Sequence, residues 1–146
     1  DRYIKDKAKQ IKFSKLEIST LASIIQGEAM VTNEMPVISS VYHNRLVKGM
    51  YLQADPTIQY IIPGKNRRLY SKDLEIESAY NTYKYRGLPP GPINNPGLAA
   101  LKAAVEPEDT DYLFFVADGS GKHVFTKTNA EHNKAKQQYY RRRRGL

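Results

Sequence analysis

Glu28 is the residue whose position most invites a chemical reading. Leu21, Ile24 and Ile25 fall at the i, i+3 and i+4 positions of one helical face, and the i+7 position of that stripe is Glu28. A carboxyl carried into an apolar face is desolvated, and desolvation raises its pKa by disfavouring the charged form. Held protonated near neutral pH, such a group can hand a proton to a leaving oxygen, as the tuned acids of glycosidases do. The same spacing also fits a glutamate at the edge of the stripe, solvated or paired with an arginine, because structural ion pairs perturb carboxylates too.

Other polar residues suggest a cleft around it. Asn44 shares a helical face with Val37 and Val41, which suits either a hydrogen-bonded core amide or a ligand contact. Gln53 and Asp55 flank a turn, and Asp55 before Pro56 reads as a helix N-cap. Tyr80, Tyr83 and Tyr85, with Asn81 among them, set flat amphipathic rings beside an amide. Sugars present apolar faces and hydroxyl edges, so this mixture suits them, though it would equally suit the edge of a core. His43, His123 and His132 lack metal-ligand spacing and read as surface or core histidines. With no cysteine, thiolate catalysis, disulfides and cysteine-held metals are excluded. No nucleophile-elbow, P-loop or dinucleotide motif occurs, so neither a metal nor a cofactor is expected.

The elements that must position these residues follow from local signals. Ser14 and Glu17 form a capping box, predicting a helix from there to about Met30. Pro36 opens and Gly49 closes a second helix. A short third helix covers 57–62, capped by Asp55 and ended by Pro63-Gly64. Residues 63–97, including GLPPGPINNPG, read as a long loop, and a loop of that length in a small chain is usually functional. Asn95-Pro96 introduces a helix over 97–105, segments 112–118 and 123–128 form a β-hairpin, and Asn129 caps a last helix reaching about Tyr140. The expected class is α+β, a single domain over 1–146 with its core at about 14–140 and a basic tail at 141–146. Arg141 to Arg144 supply four of the eight net positive charges, a block that reads as a solvated tail able to meet anionic polymers or lipid. The opening DRYIKDKAKQ is no signal peptide, and no apolar run approaches the ~20 residues of a membrane span.

Taken together, LASIIQGEA (21–29), YHNRLVKGMYLQADPT (42–57), YNTYKYRGLPPGPINNPG (80–97) and DYLFFVADGSGKHVFTKTNAEHN (111–133) resemble the endolytic murein transglycosylase, or YceG-like, family. The motifs recur in order and spacing over residues ~14 to ~140. The resemblance implies a lyase of the bacterial envelope that cuts peptidoglycan glycan strands internally between N-acetylmuramic acid and N-acetylglucosamine, leaving 1,6-anhydro-muramyl ends. It implies Glu28 as the catalytic acid and base, with Asn44, Gln53, Asp55, Tyr80 and Asn81 as substrate-binding candidates. It also implies the extracytoplasmic face of the membrane as location, peptidoglycan synthases of the elongation machinery as neighbours, and membrane contact through an N-terminal anchor not in this chain. The family commonly has a second glutamate where this chain has Gln26. Positions 26 and 28 lie about 200° apart on a helix, so both cannot point into one cleft.

Rival readings are a lysozyme-like hydrolase using Glu28 with Asp55 as second carboxylate, and a peptidoglycan-binding module without turnover. Nucleic acid is not an expected partner, because the positive charge gathers at one end instead of forming a stripe with stacking aromatics.

Overall fold

Ser14 opens the central helix as its residue type dictates. Its Oγ accepts from the Glu17 N–H at 3.1 Å, while the Glu17 carboxylate accepts from the Ser14 N–H at 2.9 Å. In the computed structural model, which describes residues 1–145, this helix, α2, spans Lys15–Glu28. Ile18, Leu21, Ala22, Ile24 and Ile25 are all buried, so α2 is enclosed on most sides and forms the axis of the core. Thr20 and Ser23 are buried too, and their hydroxyls donate to the carbonyls of Leu16 and Thr20.

Four helices pack around α2: α1 (Arg2–Gln10), α3 (Met35–Lys48), α4 (Asp55–Ile61) and α5 (Leu98–Val105). α1 has no counterpart in the sequence expectations. Asp1 caps it by accepting from the Tyr3 and Ile4 N–H groups, and only Ile4 and Ala8 are buried, so charged neighbours conceal the stripe. α3 begins with Pro36 in its first turn and stops at Gly49, whose φ of 70° suits a residue without Cβ. α5 comes close to α2 through the buried alanines Ala100, Ala103 and Ala104.

α4 corrects the capping role assigned to Asp55, which is the first residue of the helix and not its cap. Thr82 Oγ1 takes the Ala54 N–H at 2.9 Å and Thr57 Oγ1 donates to the Ala54 carbonyl at 2.7 Å. No side chain caps the first turn of α4, and the Asp55 carboxylate is left for other work. From α4 to α5 the only regular element is the 3-10 turn Ser71–Glu75, held by paired hydrogen bonds from Arg67 to Asp73. The end of this segment is fastened to α2. Ile93 N–H donates to Ser23 Oγ, Asn94 Nδ2 to the Ser23 carbonyl, and Gly97 N–H to Gln26 Oε1.

Strands β1 (Phe114–Ala117) and β2 (His123–Thr126) pair antiparallel, with Phe115 opposite Phe125 and Ala117 opposite His123. They are shorter than the pattern suggested because side chains claim the carbonyls that lead into β1. Asn44 Nδ2 donates to those of Thr110 and Tyr112, and Arg45 Nε to that of Leu113. Helix α6 (Asn129–Arg143) packs on the hairpin. Its cap is Thr128, one residue before the expected Asn129, and it runs on through three arginines of the supposed solvated tail. Helices and hairpin together make the α+β fold.

Candidate active site

Glu28 stands on the last turn of α2 with its side chain 20% exposed, largely desolvated at the end of the stripe. Two cavities meet at it. One, of about 380 Å³, is walled by Tyr42, Arg45, Gln53 and Tyr83, with Lys136 and Tyr140 of α6. The other, of about 550 Å³, is walled by Met30, Gln59, Tyr60, Asn66 and Asn94. Glu28, Asp55 and Ala117 border both, so these are two halves of one cleft with the carboxyl at their junction.

Of the residues expected beside Glu28, Gln53 and Asp55 line this cleft. Gln53 adopts a left-handed φ of 49° and its N–H donates to the Thr82 carbonyl at 3.2 Å. The Tyr83 hydroxyl donates to Asp55 Oδ1 at 2.5 Å. Burial, reinforced by Asp55, holds that phenol far above its ordinary pKa, so it stays a donor. Tyr80 stands one layer back, its ring 5.1 Å from that of Tyr60, which reaches the cleft. Asn44 and Asn81 line neither half. Asn44 spends both amide hydrogens on the carbonyls before β1. Asn81 is fully buried, donates to the Leu74 and Ile76 carbonyls and accepts from the Tyr83 N–H. Their amide hydrogens bond backbone carbonyls, so the structure sets both residues outside the two halves of the cleft.

Two residues outside the site expectations join the centre, His123 at Glu28 and Glu34 behind it. His123, at the start of β2, approaches Glu28 Oε1 through Nε2 at 3.1 Å. Its Nδ1 lies 2.8 Å from Glu34 Oε1, and its backbone N–H donates to Glu34 Oε2 at 3.0 Å. The imidazole is 2% exposed, a core histidine as one of the two readings had it, with a glutamate at each ring nitrogen. Burial raises the pKa of Glu28, the hydrogen bond and charge of His123 pull it part of the way down, and Asp55 pushes it up again. Burial works against the imidazolium of His123, yet the bonds to both glutamates outweigh it and the pKa stands above its ordinary value. No local signal could have found the arrangement, since 95 residues separate Glu28 from His123.

The surroundings explain smaller features. A Cβ on Gly27 would lie 2.9 Å from Pro56 Cβ, so glycine there lets the start of α4 reach the end of α2 and sets Asp55 near Glu28. Gln26 is turned to the Gly97 N–H and fixes the entry to α5. The Tyr42 hydroxyl is buried without a hydrogen bond beside the cleft. His43 bonds the Ala104 carbonyl at 2.8 Å, a structural use of the kind expected. His132 stacks on Phe114 and borders the first half of the cleft.

Residues 1–138 match the YceG-like family. The chain is 49% identical over 135 residues to the endolytic murein transglycosylase of Bacillus subtilis, covering 92% of this chain and 38% of that protein. To the endolytic murein transglycosylase of Streptococcus pneumoniae it is 36% identical over 120 residues, covering 79% and 22%. A solved structure of a YceG-like protein from Listeria monocytogenes is similar with a TM-score of 0.84 at 45% identity, covering 91% of this chain and 42% of that one. The chain therefore spans less than half the length of each of these relatives.

Proposed function

Because this chain belongs to the YceG-like family, we propose that it is the catalytic part of a lytic transglycosylase cutting peptidoglycan within its glycan strands. The bond cut is the β-1,4 link between N-acetylmuramic acid and N-acetylglucosamine, and the new muramyl end is 1,6-anhydro. The observation that carries this reading is one largely buried carboxyl, Glu28, at the junction of two cavities. A polymer cut internally must occupy both sides of its acid. Each half also has a half-exposed tyrosine, Tyr60 in one and Tyr140 in the other, whose flat faces suit the apolar faces of sugars.

Protonated Glu28 gives its proton to the glycosidic oxygen as positive charge develops at C1 of the muramic residue. The resulting carboxylate takes the proton of that sugar's own C6 hydroxyl, which closes on C1. Glu28 is thereby protonated again, and no water enters. The tethered hydroxyl needs no second base to bring it, because its effective concentration is already high. Hydrolysis with an external water ordinarily uses a second carboxylate. Asp55 borders the cleft with Glu28, so the hydrolase is the second reading; its bond to Tyr83 weighs against it as a free base.

The test is to digest sacculi in isotopically heavy water with the wild type and with Asp55→Asn. Both should release fragments lighter by one water than hydrolytic products, with no solvent oxygen at the new ends. Main products that incorporate solvent oxygen would make the enzyme a hydrolase. The same reading locates the protein at the extracytoplasmic face, beside the synthases that make its substrate. Among the described residues no helix is long and apolar enough to cross a membrane.

A further inference from the structure

We infer that Glu34 and His123 form a fixed ion pair behind Glu28, which aims its carboxyl and balances the negative charge it gains on giving up its proton. The inference rests on the reading of Glu28 as the acid. Glu34 meets His123 with both oxygens, at 2.8 Å from Nδ1 and 3.0 Å from the backbone N–H. A carboxylate oxygen only accepts, so Nδ1 carries a proton and Nε2 is turned to Glu28 Oε1 at 3.1 Å. The ring is clasped at its sides by Phe115 and Phe125, with centroids 5.3 and 6.1 Å away. With Oε1 occupied by the imidazole, Glu28 Oε2 is left for the glycosidic oxygen.

Proton balance assigns the pair its role. When Oε2 releases its proton to the leaving oxygen, the imidazolium donates through Nε2–H to the new carboxylate, a charge-assisted bond stronger than its neutral counterpart. When the carboxylate recovers a proton from the C6 hydroxyl, that bond relaxes. His123 keeps both protons throughout, which makes it a positioning residue and not a shuttle. Burial alone would leave Glu28 too weak an acid, and the imidazolium restores part of its acidity. The other titratable groups lining the cleft with Glu28 are Tyr42 and Arg45 on α3, Asp55 and Tyr60 on α4, Tyr83 in the following segment, and His132, Lys136 and Tyr140 on α6. β1 contributes apolar Phe115.

Nitrogen NMR of the histidine rings across a pH titration tests the pair directly. His123 should hold protons on both nitrogens near neutral pH, while His43 and His132, whose pKa values are lowered by burial, carry one each. Glu34→Gln and Glu28→Gln should each move the His123 midpoint down by about 1 unit or more. In kinetics on a soluble glycan, activity requires protonated Glu28, so the rate falls as pH rises through its pKa. Removing the cation raises that pKa. His123→Gln should therefore lower kcat about 10-fold or more with little change in KM, and move the alkaline limb of kcat to higher pH. Glu34→Gln, which keeps the ring in place, should move the limb the same way and serves if His123→Gln does not fold. A neutral His123 with one bare nitrogen at neutral pH, or an unmoved limb in both variants, would overturn the inference. Turnover by Glu28→Gln would instead remove Glu28 as the acid, however His123 titrates.

Discussion

Ionised Glu28 is disfavoured by its own surroundings, and that has a consequence for stability. Its pKa in the folded protein lies above the ordinary value of 4.5, chiefly through burial. Between those two values the folded chain holds a proton that the unfolded chain has released. Stability therefore falls as pH rises through that window and stays lower above it. Glutamine in the same place has nothing to ionise. Glu28→Gln should thus melt at a higher temperature than the wild type at about pH 7.5, with the gap closing below the ordinary carboxylate range. Cleavage of sacculi by the same variant should fall by about 10²-fold or more, the usual contribution of a general acid and base. Thermal melts at both pH values, paired with digestion assays, check both halves. A variant less stable at neutral pH would mean that the carboxylate contributes to the fold and is not held under strain.

At the scale of elements, the site depends on how closely α4 approaches the end of α2. Gly27 permits the contact, since an added Cβ would meet Pro56 Cβ at 2.9 Å, and a proline ring atom tied to the backbone cannot swing aside. On propensity alone Gly27→Ala should stabilise a helix by about 1 kcal/mol. Overpacking opposes this by about 1–3 kcal/mol. The clash should win, giving a net loss of about 1 kcal/mol in urea unfolding, together with slower cleavage as Asp55 and the cleft floor shift from Glu28. An alanine variant that is both stabilised and fully active would show that the helices separate without disturbing the site. The 93–97 stretch is fastened to the same end of α2 by Ser23 and Gln26, with Asn94 beside Pro56 at Gly27, so the last turns of this helix are braced by two segments.

For the whole molecule, the distribution of charge matters more than its sum. Four of the eight net positive charges lie in Arg141 to Arg144, and three of these residues belong to α6. Cations there complement the negative end of the helix dipole. Arg142 also donates to the Asp118 carbonyl at 3.0 Å, and Arg143 lies over the Tyr139 ring. Removing 141–144 should weaken adsorption to anionic wall material at low salt and leave cleavage of a short soluble glycan intact. The difference should shrink with added salt, because exposed charges act over about 8 Å at physiological ionic strength. Loss of activity on the soluble glycan would place the arginines in the site itself.

What the sequence by itself determined is what short-range physics governs. The Ser14–Glu17 box, the Leu21–Ile24–Ile25 stripe and the Gly49 stop each act within a few residues, so α2, α3 and the placement of Glu28 on a buried face were legible. α1 was missed although Ile4, Ala8 and Ile11 stand at the i, i+4 and i+7 positions of one face, a stripe one residue wide among charged side chains. Only the tertiary structure decided what each polar side chain would do. A buried amide or carboxylate bonds whichever group the fold brings within reach. Asn44 and Asn81 were therefore taken by backbone carbonyls, and Asp55 caps nothing but accepts from the Tyr83 hydroxyl. His123 reached Glu28 for the same reason, because the hairpin register and the packing of α2 put the ends of two distant segments within hydrogen-bond distance.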